Sequence, residues 1–387
     1  MFSRRTACSR QINALTEALG RRRAAGARLL DLANSNPTAS ELPYAADEIR
    51  AAFAGAALLD YDPDARGVRA ARAAIAAHCQ GAGLRLDPER LLLTASTSEA
   101  YATLFKLLCD PGDQVLVPAP SYPLLEHLAA FEGVSLSRYR LAYDGSWYVD
   151  FDSLRRALTE RTRAVVVVHP NNPTGSYVKQ EELSRLIELG LPLISDEVFR
   201  PYRLRAPADA AGSLLQSGAE LVFCLDGLSK RVGLPQLKLS WMAVGGRPDL
   251  VAESLERLEL VADCWLSVST PVQQAAGEML RAGLQTQAAV LARLERNLST
   301  LERELAGAAC DPLRVEGGWN AIVRLPAVMS EEQWCRTLLE QDDVWVQPGY
   351  FYDFASEAYV VASLLTPPER WEEGVRRLRR RVDRVAG

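Results

Sequence analysis

The sequence predicts an α/β protein: a large, mainly parallel sheet covered by helices, with a smaller α+β part. Three observations carry this. Short, continuous apolar runs recur at LLLTA (91–95), VLVP (115–118), AVVVVHP (164–170), LPLIS (191–195) and LVFCL (221–225), with helical stretches between them. Runs that are apolar on both faces belong to sheets buried on both sides, and helical crossovers make neighbouring strands parallel. At 387 residues, 48% of them apolar and 24% charged, the chain is long enough for one large core and a second, smaller one.

Taken in order, residues 10–26 read as a helix rich in alanine and arginine that ends near Gly26. An extended segment over 29–32 follows and stops at NSNPT (34–38), where Asn-Pro ends regular structure. Tyr61 and Gly67 precede a helix whose apolar positions Val68, Ala71, Ile75 and Cys79 recur at helical spacing. The strand-and-helix alternation then begins, with a helix over 98–109 after the first strand. A long helical stretch spans 271–306, and EGGWNAIVRLP (316–326), VWVQPGYFYDF (344–354) and YVVASLL (359–365) belong to the smaller α+β part together with the N-terminus.

Composition narrows the function. The net charge of −5 argues against a partner with a phosphate backbone, and the arginine-rich stretch 376–384 reads as a solvated helix face, so no nucleic acid is expected. Seven cysteines without CxxC spacing and only three histidines fit a reducing compartment and no metal site. No apolar run reaches the roughly 18 residues of a membrane span, and the basic N-terminus has no apolar region behind it. The expectation is a cytoplasmic protein without membrane partners.

In doubly covered sheets ligands gather at the carboxyl ends of the strands, and residues with chemical potential stand at those ends. TASTSEA places Ser96, Thr97 and Ser98 at a helix start suited to an anionic phosphate; an ordinary N-cap is the alternative. PAPSYP holds Tyr122 in a proline-bracketed loop, suited to stacking on a flat ligand. VVHPNNPTG ends in Asn171 and Asn172, where an amide can donate to a ligand oxygen or simply make a turn. LPLISDEVF leaves Asp196 at a buried strand end, a costly place for a carboxylate unless it meets a cation, either a ring nitrogen or an unidentified Arg or Lys. In LVFCLDGLSKRVGL, Lys230 follows an apolar strand, where partial desolvation favours the neutral, nucleophilic amine; a solvated Ser-Lys-Arg turn is the alternative.

With NNPTG, DEV and SK in this order, the chain resembles the class I/II aminotransferases, the fold-type I pyridoxal-phosphate enzymes, from about residue 31 to 382. The resemblance implies a large domain over 40–270 with a mainly parallel seven-stranded sheet. It also implies a small α+β domain formed by 1–39 and 271–387, and a homodimer with active sites at the subunit interface. The implied cofactor is pyridoxal 5'-phosphate, and the implied substrates are a small amino donor and a 2-oxo acid. By motif position Lys230 is the Schiff-base lysine and proton shuttle, Asp196 the partner of the pyridinium nitrogen, and Asn172 a donor to the cofactor's 3-oxygen. Tyr122 stacks on the ring, Thr97, Ser98, Ser229 and Lys238 surround the phosphate, and Tyr61 of the partner subunit reaches in.

The chain departs from the family pattern in four places. Phe199 replaces a common tyrosine three residues after the aspartate, and Gly227 replaces a frequent serine. Lys238 stands for the arginine eight residues after the lysine, keeping charge but losing bidentate geometry. Val361 occupies the place of the arginine that clamps the substrate α-carboxylate, with Arg324 a possible substitute and Val360–Ala362 and Tyr350, Phe351 and Tyr352 favouring an apolar substrate portion or packed core. Two rival functions stay open: a lyase or decarboxylase using the same cofactor, and a non-catalytic cofactor-binding regulatory module.

Overall fold

The computed structural model describes residues 2–7, 13–55, 59, 61, 63–356 and 358–386. In chain order the strands are β1 (Leu30–Asp31), β2 (Leu91–Thr94), β3 (Gln114–Ala119), β4 (Ser135–Tyr143), β5 (Trp147–Val149), β6 (Thr162–Val168), β7 (Leu193–Asp196), β8 (Leu221–Gly227), β9 (Ser240–Gly246), β10 (Asp311–Pro312), β11 (Asn320–Arg324), β12 (Val344–Trp345), β13 (Gln347–Pro348) and β14 (Tyr359–Ser363). The central sheet has the order β2-β9-β8-β7-β6-β3-β4-β5. Its middle pairings, β3 with β4 and β6, β6 with β7 and β7 with β8, are parallel, while β9 runs antiparallel between β2 and β8.

The apolar runs form these strands because both of their faces are covered. On one face Val165 and Val167 of β6 pack with Leu193, Val222 and Cys224; on the other Val166 and Val168 pack with Ile194, Phe223 and Leu225. This is the alternation of a pleated strand buried on both sides. The expected seven-stranded sheet is present and is extended by β5, three residues paired antiparallel to the end of β4. β4 itself, SLSRYRLAY, has no apolar run to announce it, since only Tyr139 and Leu141 are buried.

A second core joins the two ends of the chain. Leu15, Ala18 and Leu19 of the helix Ala14–Ala24 share it with Trp334, Leu338, Trp371, Val375 and Leu378 from the helices Glu331–Asp342 and Pro368–Ala386. β1 pairs parallel with β12, and β10-β11-β14-β13 form a small antiparallel sheet. The expected first helix begins at Ala14, and residues 10–12 of the stretch read as helical lie outside the described residues.

The 36-residue helix Thr270–Leu305 contributes to both cores, Ala275, Ala276, Met279 and Leu280 to the first and Val290, Leu294, Leu298 and Leu301 to the second. We propose the two cores as the two expected domains, with the changeover inside this helix rather than ahead of it. The arginine-rich C-terminal helix is ion-paired along its length: Arg376 with Glu304, Arg377 with Glu373, Arg381 with Asp342. Among the described residues no helix is long and apolar enough to cross a membrane, and no group of three His, Cys, Asp or Glu side chains is placed to hold a metal ion.

Candidate active site

β2, β3, β6, β7 and β8 all point the same way, so the loops at their carboxyl ends meet at one edge of the sheet. After β2, Ser96 caps the helix Thr97–Leu108, its Oγ accepting from Glu99 N at 3.2 Å, while Glu99 Oε2 accepts from Ala95 N at 2.6 Å. The N–H groups of Thr97 and Ser98 fall in the first turn, where a helix has no internal acceptors for them and its dipole favours an anion. β7 ends in Asp196, and β8 runs into a short helix, Leu228–Arg231, that carries Ser229 and Lys230.

These ends enclose a cavity of about 250 Å³ lined by Ser96, Thr97, Ser98, Tyr122, Asn172, Asp196, Ser229 and Lys230, with Tyr101, Leu125, Val198 and Phe199 among the rest of its wall. The structure thus brings most of the motif residues onto one surface although they are spread over 135 positions, from 96 to 230. A larger cavity, about 810 Å³, opens over Arg85, Asp87, Gly245 and Arg247 and contains none of them. Size and chemistry part here, and the chemistry decides the assignment.

Two groups in the smaller cavity are electrostatically displaced. Burial pushes the Lys230 ammonium below its ordinary pKa, partly opposed by the nearby Asp196 carboxylate. The amine lies 4.8 Å from the Trp319 ring centre and 5.5 Å from that of Phe199, surfaces that exclude water. Asp196 is raised to about 6, chiefly by burial, against the stabilising hydrogen bonds from Val198 N at 3.3 Å and Tyr101 Oη at 3.2 Å. Desolvation dominates both shifts, so each group is poised to gain from a ligand that neutralises or shares its charge.

The NNPTG loop is locked to the second core. Asn171 Nδ2 donates to Pro120 O at 3.1 Å and Thr174 Oγ1 at 2.9 Å. Gly175 has φ +69°, and a Cβ there would come within 2.4 Å of Gly317 O, so the turn takes no side chain. The neighbouring Glu316 carboxylate, 1% exposed, accepts from Tyr177 N at 2.8 Å and Lys179 Nζ at 3.3 Å. This attachment carries Trp319 onto Lys230 and Asn320 onto Asn172, where Asn320 Nδ2 donates to Asn172 Oδ1 at 2.7 Å. Tyr101, Trp319 and Asn320 escaped the sequence reading. The only hint was EGGWN itself, a polar residue after an aromatic at the start of an apolar strand.

Other expected residues stand apart. Lys238 is exposed, follows the turn Pro235–Leu237 in a left-handed conformation at φ 52°, and does not line the cavity. Tyr61 is 76% exposed and borders a separate cavity with Trp265 and Thr103. Arg324 is half exposed, bound by Asp311 at 2.8 Å, and does not line the cavity. Val360, Val361 and Ala362 are buried in strand β14, and Tyr352 is buried while Tyr350 is exposed, so this region is mainly packed core.

Gly227 has a steric explanation. It pairs with Ser240 across β8 and β9, and a Cβ at 227 would lie 2.3 Å from Ser240 Oγ. One side chain fits between the two strands, and here it belongs to residue 240. Gly227→Ser is expected to cost about 1 to 3 kcal/mol by overpacking, a loss of a few degrees in Tm, and Gly227→Ser with Ser240→Gly is expected to recover it. Thermal melting of the single and double variants checks this; a single variant as stable as the parent contradicts it.

A match to the family described as "Aminotransferase class I and II" covers residues 27–378. Glutamate-pyruvate aminotransferase AlaA of Escherichia coli (strain K12) is 30% identical over 217 residues, 55% of this chain and 53% of the relative, so the chain spans about half the length of that relative. Alanine aminotransferase of Mycobacterium tuberculosis (strain ATCC 25618 / H37Rv) is 30% identical over 303 residues, 74% of this chain and 70% of the relative. Among solved structures, alanine aminotransferase from Pyrococcus furiosus superposes with a TM-score of 0.88 at 22% identity, covering 99% of this chain and 100% of that one. An aspartate aminotransferase double mutant from Thermus thermophilus gives a TM-score of 0.84 at 22% identity, covering 98% and 99%. At that identity the two superpositions speak to the fold.

Proposed function

The chain belongs to the class I and II aminotransferases, and from this premise we propose that it transfers an amino group from a small amino donor to a 2-oxo acid, with pyridoxal 5'-phosphate bound at Lys230. The observation that carries the reading is the pairing, in one cavity, of a desolvated lysine with an enclosed carboxylate whose pKa is raised. The donor set suits that cofactor: hydroxyls and helix N–H groups for a phosphate, a carboxylate for a ring cation, and an amide for a ring oxygen.

When bound, the cofactor supplies a carbonyl carbon that takes the amino group and a ring that withdraws electrons from the substrate's α-carbon. Lys230 would hold the cofactor through its amine and, when that amine is free, would carry a proton to and from the substrate's α-carbon. Asp196 would accept from the protonated ring nitrogen and favour its cationic form. Asn172 donates to the ring oxygen without help from residue 199, since Phe199 has no hydroxyl. Thr97, Ser98 and Ser229 would hold the phosphate, Tyr122 would cover the ring, and Lys238, exposed on the loop outside the cavity wall, would add positive charge on the phosphate side. Tyr61, exposed on the protomer, completes the site of the other subunit in a cytoplasmic homodimer.

Substrate choice follows from Val361. A buried guanidinium paired with a carboxylate contributes about 1.5 to 3 kcal/mol, one to two orders of magnitude in affinity, and neither Val361 nor the half-exposed Arg324 supplies it. We expect higher kcat/KM on amines whose carboxylate is absent, distant or neutralised than on matched α-amino acids such as alanine, aspartate and glutamate. Steady-state kinetics on matched donor pairs tests this. Efficient turnover of glutamate or alanine, the substrates for which the two relatives are named, would show a carboxylate site not built from residue 361.

A further inference from the structure

The Asn172 amide on the cavity wall is met by a second amide from the small sheet. Asn320 opens β11 and faces Ser363 across the small sheet, while Ile322, two residues on, faces Val361. Residues two apart on a strand share a face, so Asn320 stands on the face of Val361, one pair along from it. Asn320 is 8% exposed, and its Nδ2 donates to Asn172 Oδ1 at 2.7 Å. Asn172 is a cavity residue. With its carbonyl oxygen engaged by Asn320, its amide presents Nδ2, a donor, to the remaining space.

We propose that Asn320 is a positioning residue that sets the Asn172 amide with its NH₂ toward the cavity. The proposal rests on reading the cavity as the cofactor site, and it adds a residue to which no motif assigns a role. The start of β11 is firmly anchored. Glu316 fixes the segment by three backbone hydrogen bonds, accepting from Tyr177 N at its carboxylate and from Leu204 N and Arg205 N at its carbonyl. Gly318 N adds a fourth, to Tyr202 O at 3.0 Å. The amide of Asn320 therefore arrives on a rigid strand start rather than on a loose loop, which is what positioning within a few tenths of an ångström requires.

The test uses the cofactor's own absorbance. Pyridoxal 5'-phosphate is added to the full-length parent, to Asn320→Leu and to Asn320→Asp, and the protonation midpoint of the bound chromophore is followed against pH, with Tm as a check on folding. Leucine removes the donor without adding charge. Aspartate offers only acceptors and turns the Asn172 carbonyl oxygen toward the cavity. Losing a hydrogen bond to a charged oxygen corresponds to a rise of about one pKa unit or more in the midpoint, larger for Asn320→Asp than for Asn320→Leu. The same substitutions made with Asn172→Ala are expected to shift the midpoint much less, since Asn320 then has no amide to set. Midpoints unchanged in both single variants, or shifts equally large without Asn172, overturn the proposal. Failure of the parent itself to develop a cofactor spectrum overturns the cofactor reading instead, so the two outcomes are distinct.

Discussion

Lys230→Ala is expected to yield a folded protein that binds the cofactor reversibly, leaves none of it covalently attached after borohydride reduction, and turns over substrate slower by at least about four orders of magnitude. The size reflects two lost functions, covalent attachment and proton transfer, the second alone contributing about 10²- to 10⁴-fold. The fold is expected to survive because the amine is held against Trp319 and Phe199 with burial lowering its pKa; removing it takes away a desolvated cation rather than a supporting contact. Mass spectrometry of reduced, digested parent and variant checks the attachment. A cofactor adduct that persists in the variant would place the reactive amine elsewhere.

Asp196→Asn is expected to separate catalysis from stability. The carboxyl, raised from 3.8 to about 6 mainly by burial, favours the folded protein most below pH 4, where it is neutral in both folded and unfolded chains. That advantage is lost as pH rises through about 6, because ionisation is costlier inside than out. In cofactor-free protein at pH 7 or above, Asp196 therefore costs up to about 3 kcal/mol, two pKa units at 1.36 kcal/mol each. Asparagine carries no such cost: its Oδ1 can accept from Val198 N, and its Nδ2 can donate to Tyr101 Oη in place of the bond that the carboxylate accepts. The cofactor-free variant is expected to melt higher than the parent at pH 8, with the gap narrowing to about a third at pH 4.5, while its turnover with cofactor falls by about two to four orders of magnitude for want of a carboxylate at the ring nitrogen. Paired melting curves at the two pH values and single-turnover rates measure both. Near-parental turnover would mean that another group holds the ring charge.

The sequence announces what is apolar, continuous or set by a short motif. β6 and β8 were legible because the doubly covered sheet demands unbroken apolar runs, and Ser96, Asp196 and Lys230 stand where such a strand closes or in the helix after it, with Asn172 in the loop after β6. β4 was not, since its outer positions face water and carry arginines. Trp319 and Asn320 reach Lys230 and Asn172 from 89 and 148 residues away through the attachment made by Glu316, a contact that leaves no local pattern. Lys238 has the spacing from Lys230 of the family's phosphate arginine, and in the protomer it stands exposed after a left-handed turn, outside the cavity wall. Spacing fixes where a backbone position falls along a strand and its turn; the turn's dihedrals decide where the side chain goes.

The most direct test of the account follows one catalytic half-cycle in the parent protein loaded with pyridoxal 5'-phosphate. An excess of a carboxylate-poor amino donor, without any 2-oxo acid, is expected to convert the cofactor fully to its amine form, with one oxo product per site and no release of ammonia or carbon dioxide. One equivalent of 2-oxo acid should then restore the starting spectrum. Ammonia or carbon dioxide released over many turnovers, with the cofactor spectrum returning unaided, would contradict amino transfer and assign the same lysine and aspartate to elimination or decarboxylation.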